Sequence, residues 1–325
     1  MNKLIKRQRV WKWEVALYLY LAGMGAGSYI IGMAVHWAFH PGQIMMILGF
    51  DLDIANGAIL WGPVLVALGA PFLILDLGIK RRFLYACLNP HTSWVARGFL
   101  ILSTFILLGL TVFGILFFSP GLPYRIPTLW SILEIVSFVF AFATAIYTGV
   151  LLKSVRYVPI WNTPFLPVLF LVSALSTGSM AIILSTMGSG LLLPVNEMFV
   201  PLAHRILPVE QAFILIEGFV LALYLYSRYR KKDQGENSVR LLISGKLRFL
   251  FWGGIVFIGF VFPFVLEYTY SQVPDYPALV FITGLLLLLG GFFLRLGVLA
   301  SGIKEELPMD KLINIKANMR IFGND

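Results

Sequence analysis

A few groups able to do chemistry stand at matching depth in a chain that is otherwise almost entirely apolar. Glu14 lies just inside a long apolar run, with Tyr18 one turn further along the same face. Asp76 closes the next apolar run, Arg97 opens the third, and Lys153 closes the fourth, with Tyr147 one to two turns below it. An ionisable side chain at membrane depth costs about 3 kcal/mol unless it snorkels or finds a partner, so such groups are functional candidates by default. Gathered around one cavity, these would offer carboxylates, an arginine and phenols against an apolar wall. A quinone head asks for that set: donors to its two carbonyl oxygens, a route for protons, and a greasy opening for its tail. The same spacing also fits a plainer arrangement. Asp76 would pair with Arg81 or Arg97 to tie two helices together, and Glu14 would cap at the interface.

The elements that must carry these residues follow from composition. The chain has 325 residues, is 59% hydrophobic and 13% charged, and has a mean hydropathy of +0.85. No soluble domain of this length is so apolar, so the class is a membrane-embedded protein. The net charge of +9 does not point to nucleic acid, because the basic residues sit between hydrophobic runs rather than along one polar face. A single cysteine, Cys87, offers neither a disulfide framework nor ligands for an iron–sulfur cluster. The basic start MNKLIKRQR is followed by a run too long for a cleavable signal, with no small-residue cleavage site, so none is expected.

A spanning helix needs about 20 apolar residues. Eight runs qualify, at 14–38, 54–76, 95–118, 129–152, 164–186, 208–227, 249–267 and 278–299. Several are expected to start at a proline (Pro127, Pro164, Pro208 and Pro277), where the missing N–H is not needed. An even number of spans puts both ends on one side. Of the 25 Lys and Arg, all but Arg125 and Arg205 fall on that side, counting Arg97 and Arg295 near that end of their helices. The positive-inside rule then places both termini in the cytoplasm. Gly23 and Gly27 form a GxxxG step, repeated one face round by Ser28 and Gly32. Such spacing lets helices approach closely, so the expected architecture is a packed bundle.

The opposite end carries Glu134, Glu197, His204, Glu210, Glu267 and Asp275, with His36 and His40 near the end of the first run; most read as solvated or interfacial. With His91, the histidines make no convincing haem or metal set, so neither is expected. Glu217 is different. It falls near the middle of the sixth run, where snorkelling fails, so it must bond inside the bundle or relay protons; Ser173, Ser176 and Thr177 are possible partners. Arg295, nearer the basic surface, has room to snorkel or pair there.

Three stretches resemble the NrfD/PsrC-type membrane subunits of polysulfide-reductase-like complexes. They are WKWEVALYLYLAGMGAG (Trp11 to Gly27), LDLGIKRRFLYACLNPHTSWVARG (Leu75 to Gly98) and YTGVLLKSVRYVPIWNTPFLPVLFLVSALSTG (Tyr147 to Gly178). The third is the most specific, through its Y-T-G-V-L-L, W-N-T-P-x-L-P and S-x-x-S-T-G elements. The resemblance implies an all-α membrane protein of eight transmembrane helices in two four-helix bundles, here 1–160 with a quinone site and 161–325 with the tail. It implies exchange of electrons with menaquinone or ubiquinone, with no haem and no iron–sulfur cluster in this chain. The partners it implies are a ferredoxin-like iron–sulfur subunit and, through it, a molybdopterin or cytochrome catalytic subunit, in the cell (inner) membrane.

Carried over by motif, Tyr147 matches the family's quinone-contacting tyrosine and Asp76 the acid of its D-L-G element. Tyr18 and Val15 stand where one type of member has a histidine and an asparagine. Glu14 and Asp76 are then expected to exchange the protons, with Tyr18, Tyr147 and Arg97 around the head and Glu217 on a proton path. Studied members put the corresponding surface outside, opposite to the charge bias here; either the complex faces inward, or the basic loops dock an acidic partner. A polytopic transporter or proton-translocating channel is the alternative, although the halves show no clear inverted repeat. A passive anchor is the third reading.

Overall fold

The computed structural model describes residues 11–39, 44–47, 50–75, 93–190, 199–231, 233–272 and 277–305. Among them, eight helices are long and apolar enough to cross a membrane, and their limits agree with the expected runs to within a few residues. These are α1 (Trp13–Phe39), α2 (Ile54–Leu75), α3 (Trp94–Phe118), α5 (Pro127–Lys153), α6 (Phe165–Gly190), α7 (Phe199–Tyr229), α9 (Leu250–Gln272) and α10 (Pro277–Ala300). A one-turn helix α4 (Leu122–Arg125) and a surface helix α8 (Gln234–Ile243) sit in connections. A short antiparallel hairpin, β1 (Ile44–Ile47) and β2 (Phe50–Asp53), links the first two spans, with Ile44 opposite Asp53. The first half of α9, Leu250–Val261, is wound as a π-helix.

The helix starts follow local chemistry. Ser93 caps α3 by accepting from the Ala96 N–H at 3.3 Å, and Pro127 and Pro277 occupy first-turn positions. Pro208 does not start its span, contrary to the expectation from sequence. α7 begins at Phe199 and carries Pro208 inside it. Membrane helices tolerate such a proline because neighbouring groups satisfy the freed backbone.

α1 is the central element. It packs on α2 and α5 of the first half and on α6 and α10 of the second, so it is shared between the halves. Small residues make this possible. A Cβ on Gly25 would lie 2.5 Å from the Gly62 carbonyl oxygen of α2, and one on Gly27 would run into the backbone of Ala174 in α6. Gly178 in turn rests on the Gly27 backbone. The sequence implies only close approach; the structure adds the partners, with the GxxxG face of α1 meeting α6.

The W-N-T-P connection after α5 is held from several sides. Trp161 stacks on Trp11 with ring centroids 5.3 Å apart, and its indole donates to the Val298 carbonyl at 2.8 Å. Tyr224 donates to Ile160 O at 3.0 Å, and Arg228 donates to Asn162 O at 2.5 Å. Residues of the first and third family-like stretches thus meet at the basic end, tied to the ends of α7 and α10.

Candidate functional site

The basic ends of α1, α3 and α5 bring together most of the residues expected to act there. Tyr18 is fully buried on α1, and its phenol is close enough to that of Tyr147 on α5 to interact with it electrostatically. Tyr147 donates its hydroxyl to the Trp94 carbonyl at 2.9 Å, at the first turn of α3. Its ring lies over Gly98, one turn further on, where a Cβ would collide with the phenol. Arg97, between them in sequence, is half-buried with its guanidinium 4.6 Å from the centre of the Trp94 ring. Glu14 stands one turn, about 6 Å of helix rise, above Tyr18. Its Oε2 is buried and has no hydrogen-bond partner among the described residues. Lys153 is half-buried at the end of α5. Asp76 lies outside the described residues, as do Arg81 and His91.

The arrangement offers two phenols within electrostatic range of each other, a guanidinium, and a carboxylate with an oxygen unmet among the described residues, at one end of the bundle. An orphaned buried carboxylate oxygen has lost its water and gained nothing in return, which is costly unless a ligand or proton meets it. Chemically, the set suits a ring with two oxygen functions that exchange protons. Val15, where one type of member has an asparagine, is buried and apolar and adds no donor.

A second polar group lies deeper, and the sequence reveals only part of it. Glu210, Ile214, Glu217, Leu221, Tyr224 and Arg228 recur at three- and four-residue steps on α7 and are all buried. This stripe faces inward. Ser176 of α6 donates to Glu210 Oε1 at 2.9 Å, and the Glu267 carboxyl of α9 adjoins that of Glu210. As carboxylates neither of these can donate to the other, and both oxygens of Glu267 are without a partner among the described residues. A single proton on either turns the pair into a hydrogen bond. Glu217 adjoins the Ser173 hydroxyl, as expected, and stands within electrostatic range of Arg295, a neighbour the sequence does not disclose. Arg295 donates to Ser173 Oγ at 2.5 Å and to Gly291 O at 3.0 Å, with its guanidinium over the rings of Phe170 and Tyr20.

Two expectations are therefore corrected. Arg295 does not snorkel: it is fully buried, and the missing side chain of Gly23 makes its room, since a Cβ there would lie 3.0 Å from Nη2. Glu210 and Glu267 are not interfacial but enclosed by α6, α7 and α9. Glu134 is also buried, between α1 and α5, where it accepts from Trp37 Nε1 at 3.3 Å and lies 3.5 Å from His36 Nε2. Positions near the ends of apolar runs suggest water; for Glu210 alone, its place on the α7 stripe with Glu217 and Tyr224 hints that it faces protein. No three His, Cys, Asp or Glu side chains among the described residues converge in a way that would hold a metal ion.

Comparison with known proteins covers nearly the whole chain. The family model described as "Polysulphide reductase, NrfD" matches residues 3–305. The polysulfide reductase C subunit of Wolinella succinogenes is 29% identical over 307 residues, covering 90% of this chain and 94% of that protein. Protein NrfD of Escherichia coli is 28% identical over 320 residues, covering 90% and 95%. An NrfD homolog of Haemophilus influenzae is 24% identical over 311 residues, covering 90% and 94%.

Proposed function

The chain belongs to the NrfD polysulphide reductase family, and we propose that it is the multi-pass membrane subunit through which a respiratory oxidoreductase complex trades electrons and protons with a membrane quinone. The site is the basic end of α1, α3 and α5. Tyr18, Tyr147 and Arg97 hold the oxygen functions of the ring, and Glu14 and Asp76 take up or deliver its protons. Oxidation of one quinol releases two electrons and two protons. The electrons pass to an iron–sulfur partner docked on the basic surface and from it to a molybdopterin or cytochrome subunit; the protons pass to the carboxylates. Reduction runs the same exchange backwards.

The observation that carries this reading is the buried Oε2 of Glu14, without a hydrogen-bond partner among the described residues, one turn above Tyr18, whose phenol senses that of Tyr147. A carboxyl group so placed can accept or deliver a proton to a ring bound beside it. The surrounding residues do what a quinone site requires of a protein: they bind, orient and hold a proton at a named atom. Single replacements Glu14→Gln, Asp76→Asn and Tyr147→Phe, assayed for quinol-linked electron transfer in membranes, test it. Full activity in all three would contradict it.

The enclosed carboxyls support a second role within the same protein. Glu210, Glu217 and Glu267, with Arg295 and the α6 hydroxyls, form a polar column inside an apolar half. We read Glu217 as a station on a proton path through that half, which keeps a proton-translocating function alongside electron exchange.

A further inference from the structure

On the basic-side leaflet, α7 and α9 part and leave an apolar groove of about 570 Å³. Two features open it. α9 is drawn onto α10, where the backbones of Gly259 and Gly290 meet with no side chain between them and Gly254 lies against the Phe293 ring. On the α7 side the wall includes Gly218, whose missing side chain would meet nothing within 4 Å. The groove runs from Leu225 and Phe251 near the surface to Ile214 and Val265. From Ile214 to Leu225 the helix rises about 16 Å at 1.5 Å per residue. Half of the hydrocarbon core is about 15 Å, so the groove is one leaflet deep and stops there.

We propose that this groove binds one acyl chain of an anionic phospholipid from the basic-side leaflet, with the headgroup on the cations at its mouth. Lys246 and Arg248 stand on the turn just before Phe251, and Arg230 and Lys231 stand just past the end of α7. The described acids beside them are already taken: Asp233 lies 3.8 Å from Arg228, and Glu236 bonds Arg240 at 2.8 Å. Lys246 and Arg248 make no ion pair among the described residues, and Trp252 sits at the same level with its indole on Ile243 O at 3.1 Å. An aromatic at this level, with cations beside it that have no carboxylate partner among the described residues, is what a lipid headgroup region favours.

Other occupants fit less well. The named walls carry no side-chain hydrogen-bond donor, so a quinone head has nothing to hold it there. A partner transmembrane helix would run the full thickness, about 30 Å. A volume of this size instead falls in the range of single small ligands, about 300–1,000 Å³.

The test is native mass spectrometry of the protein, with whatever subunits accompany it, after delipidation and exposure to micelles doped with phosphatidylglycerol or phosphatidylcholine. The wild type is expected to retain one phosphatidylglycerol in preference to phosphatidylcholine. Gly218→Leu, whose added side chain enters only the groove, should lose that adduct with its melting temperature kept. Ala222→Trp, filling the same groove from another position, should do the same. Lys246→Gln with Arg248→Gln should keep a bound lipid but lose the headgroup preference. The proposal is overturned if the wild type retains no lipid or Gly218→Leu retains it unchanged. It is equally overturned if the retained molecule is a quinone, or if Gly218→Leu sheds a partner subunit instead of a lipid.

Discussion

The hydroxyl of Tyr147 donates to the carbonyl of Trp94 at 2.9 Å while its ring lies over Gly98, so one residue of α5 is fixed by the first turn and a half of α3. Because the ring fills the place of a side chain at residue 98, Gly98→Ala must push Tyr147 off its seat. Overpacking of this kind costs about 1–3 kcal/mol. We expect Gly98→Ala to assemble in the membrane but to lose most quinol-linked electron transfer. Tyr147→Phe keeps the ring and removes one hydrogen bond, a loss of about 1 kcal/mol in stability. It should melt close to wild type and still lose turnover. Thermal melts and quinol-oxidation assays on the two variants, side by side, check both.

Arg295 and Glu217 are opposite charges buried within electrostatic range of each other. Removing one of two opposite buried charges leaves the other less compensated, whereas removing both costs less. Arg295→Met alone should therefore be severely destabilised, and adding Glu217→Gln should recover part of the loss. A double-mutant cycle in thermal or denaturant unfolding reads the coupling. Additive losses would show that the two groups do not sense each other.

Glu217→Gln alone separates structure from proton traffic. The amide keeps the shape and hydrogen-bonding capacity of Glu217, so the protein should still fold, with a lowered melting temperature because the charge facing Arg295 is gone. On the proton-path reading, electron transfer persists while proton movement across proteoliposomes falls. A pH-sensitive dye trapped in the vesicle, read during quinol turnover, distinguishes this from a variant in which both functions stay intact.

Much of this architecture is legible in the sequence, because span length and apolarity are set by the bilayer and each span can be read alone. The eight runs and the glycine steps of α1 belong to that class. What a helix faces is not local information. Glu210 and Glu267 read as interfacial because each lies near the end of an apolar run; only the packing of α6, α7 and α9 encloses them. Arg295 reads as a cation that snorkels or pairs near the basic surface because nothing near it in sequence shows that Gly23, on another helix, leaves it a place inside the bundle. The Tyr18–Tyr147 pair follows from motif and depth, while the orphaned oxygen of Glu14 needs the packed structure to reveal it.

The charge bias makes a prediction of its own about orientation. With all basic residues but Arg125, Arg205 and the bundle-buried Arg295 assigned to one side, the positive-inside rule puts the C-terminus in the cytoplasm. A reporter enzyme that works on only one side of the membrane, fused after Asp325, should be active inside. Activity outside would mean that the basic end serves to dock an acidic partner and overrides the rule.

The central claim is that the basic ends of α1, α3 and α5 form a quinone site, and ligand binding tests it most directly. A fluorescent quinol-site inhibitor titrated into the purified subunit should be quenched saturably, with binding weakened in Tyr147→Phe and Glu14→Gln and unaffected in Gly218→Leu. Absence of saturable quenching in the wild type, or equal binding by all of these variants, would contradict the account.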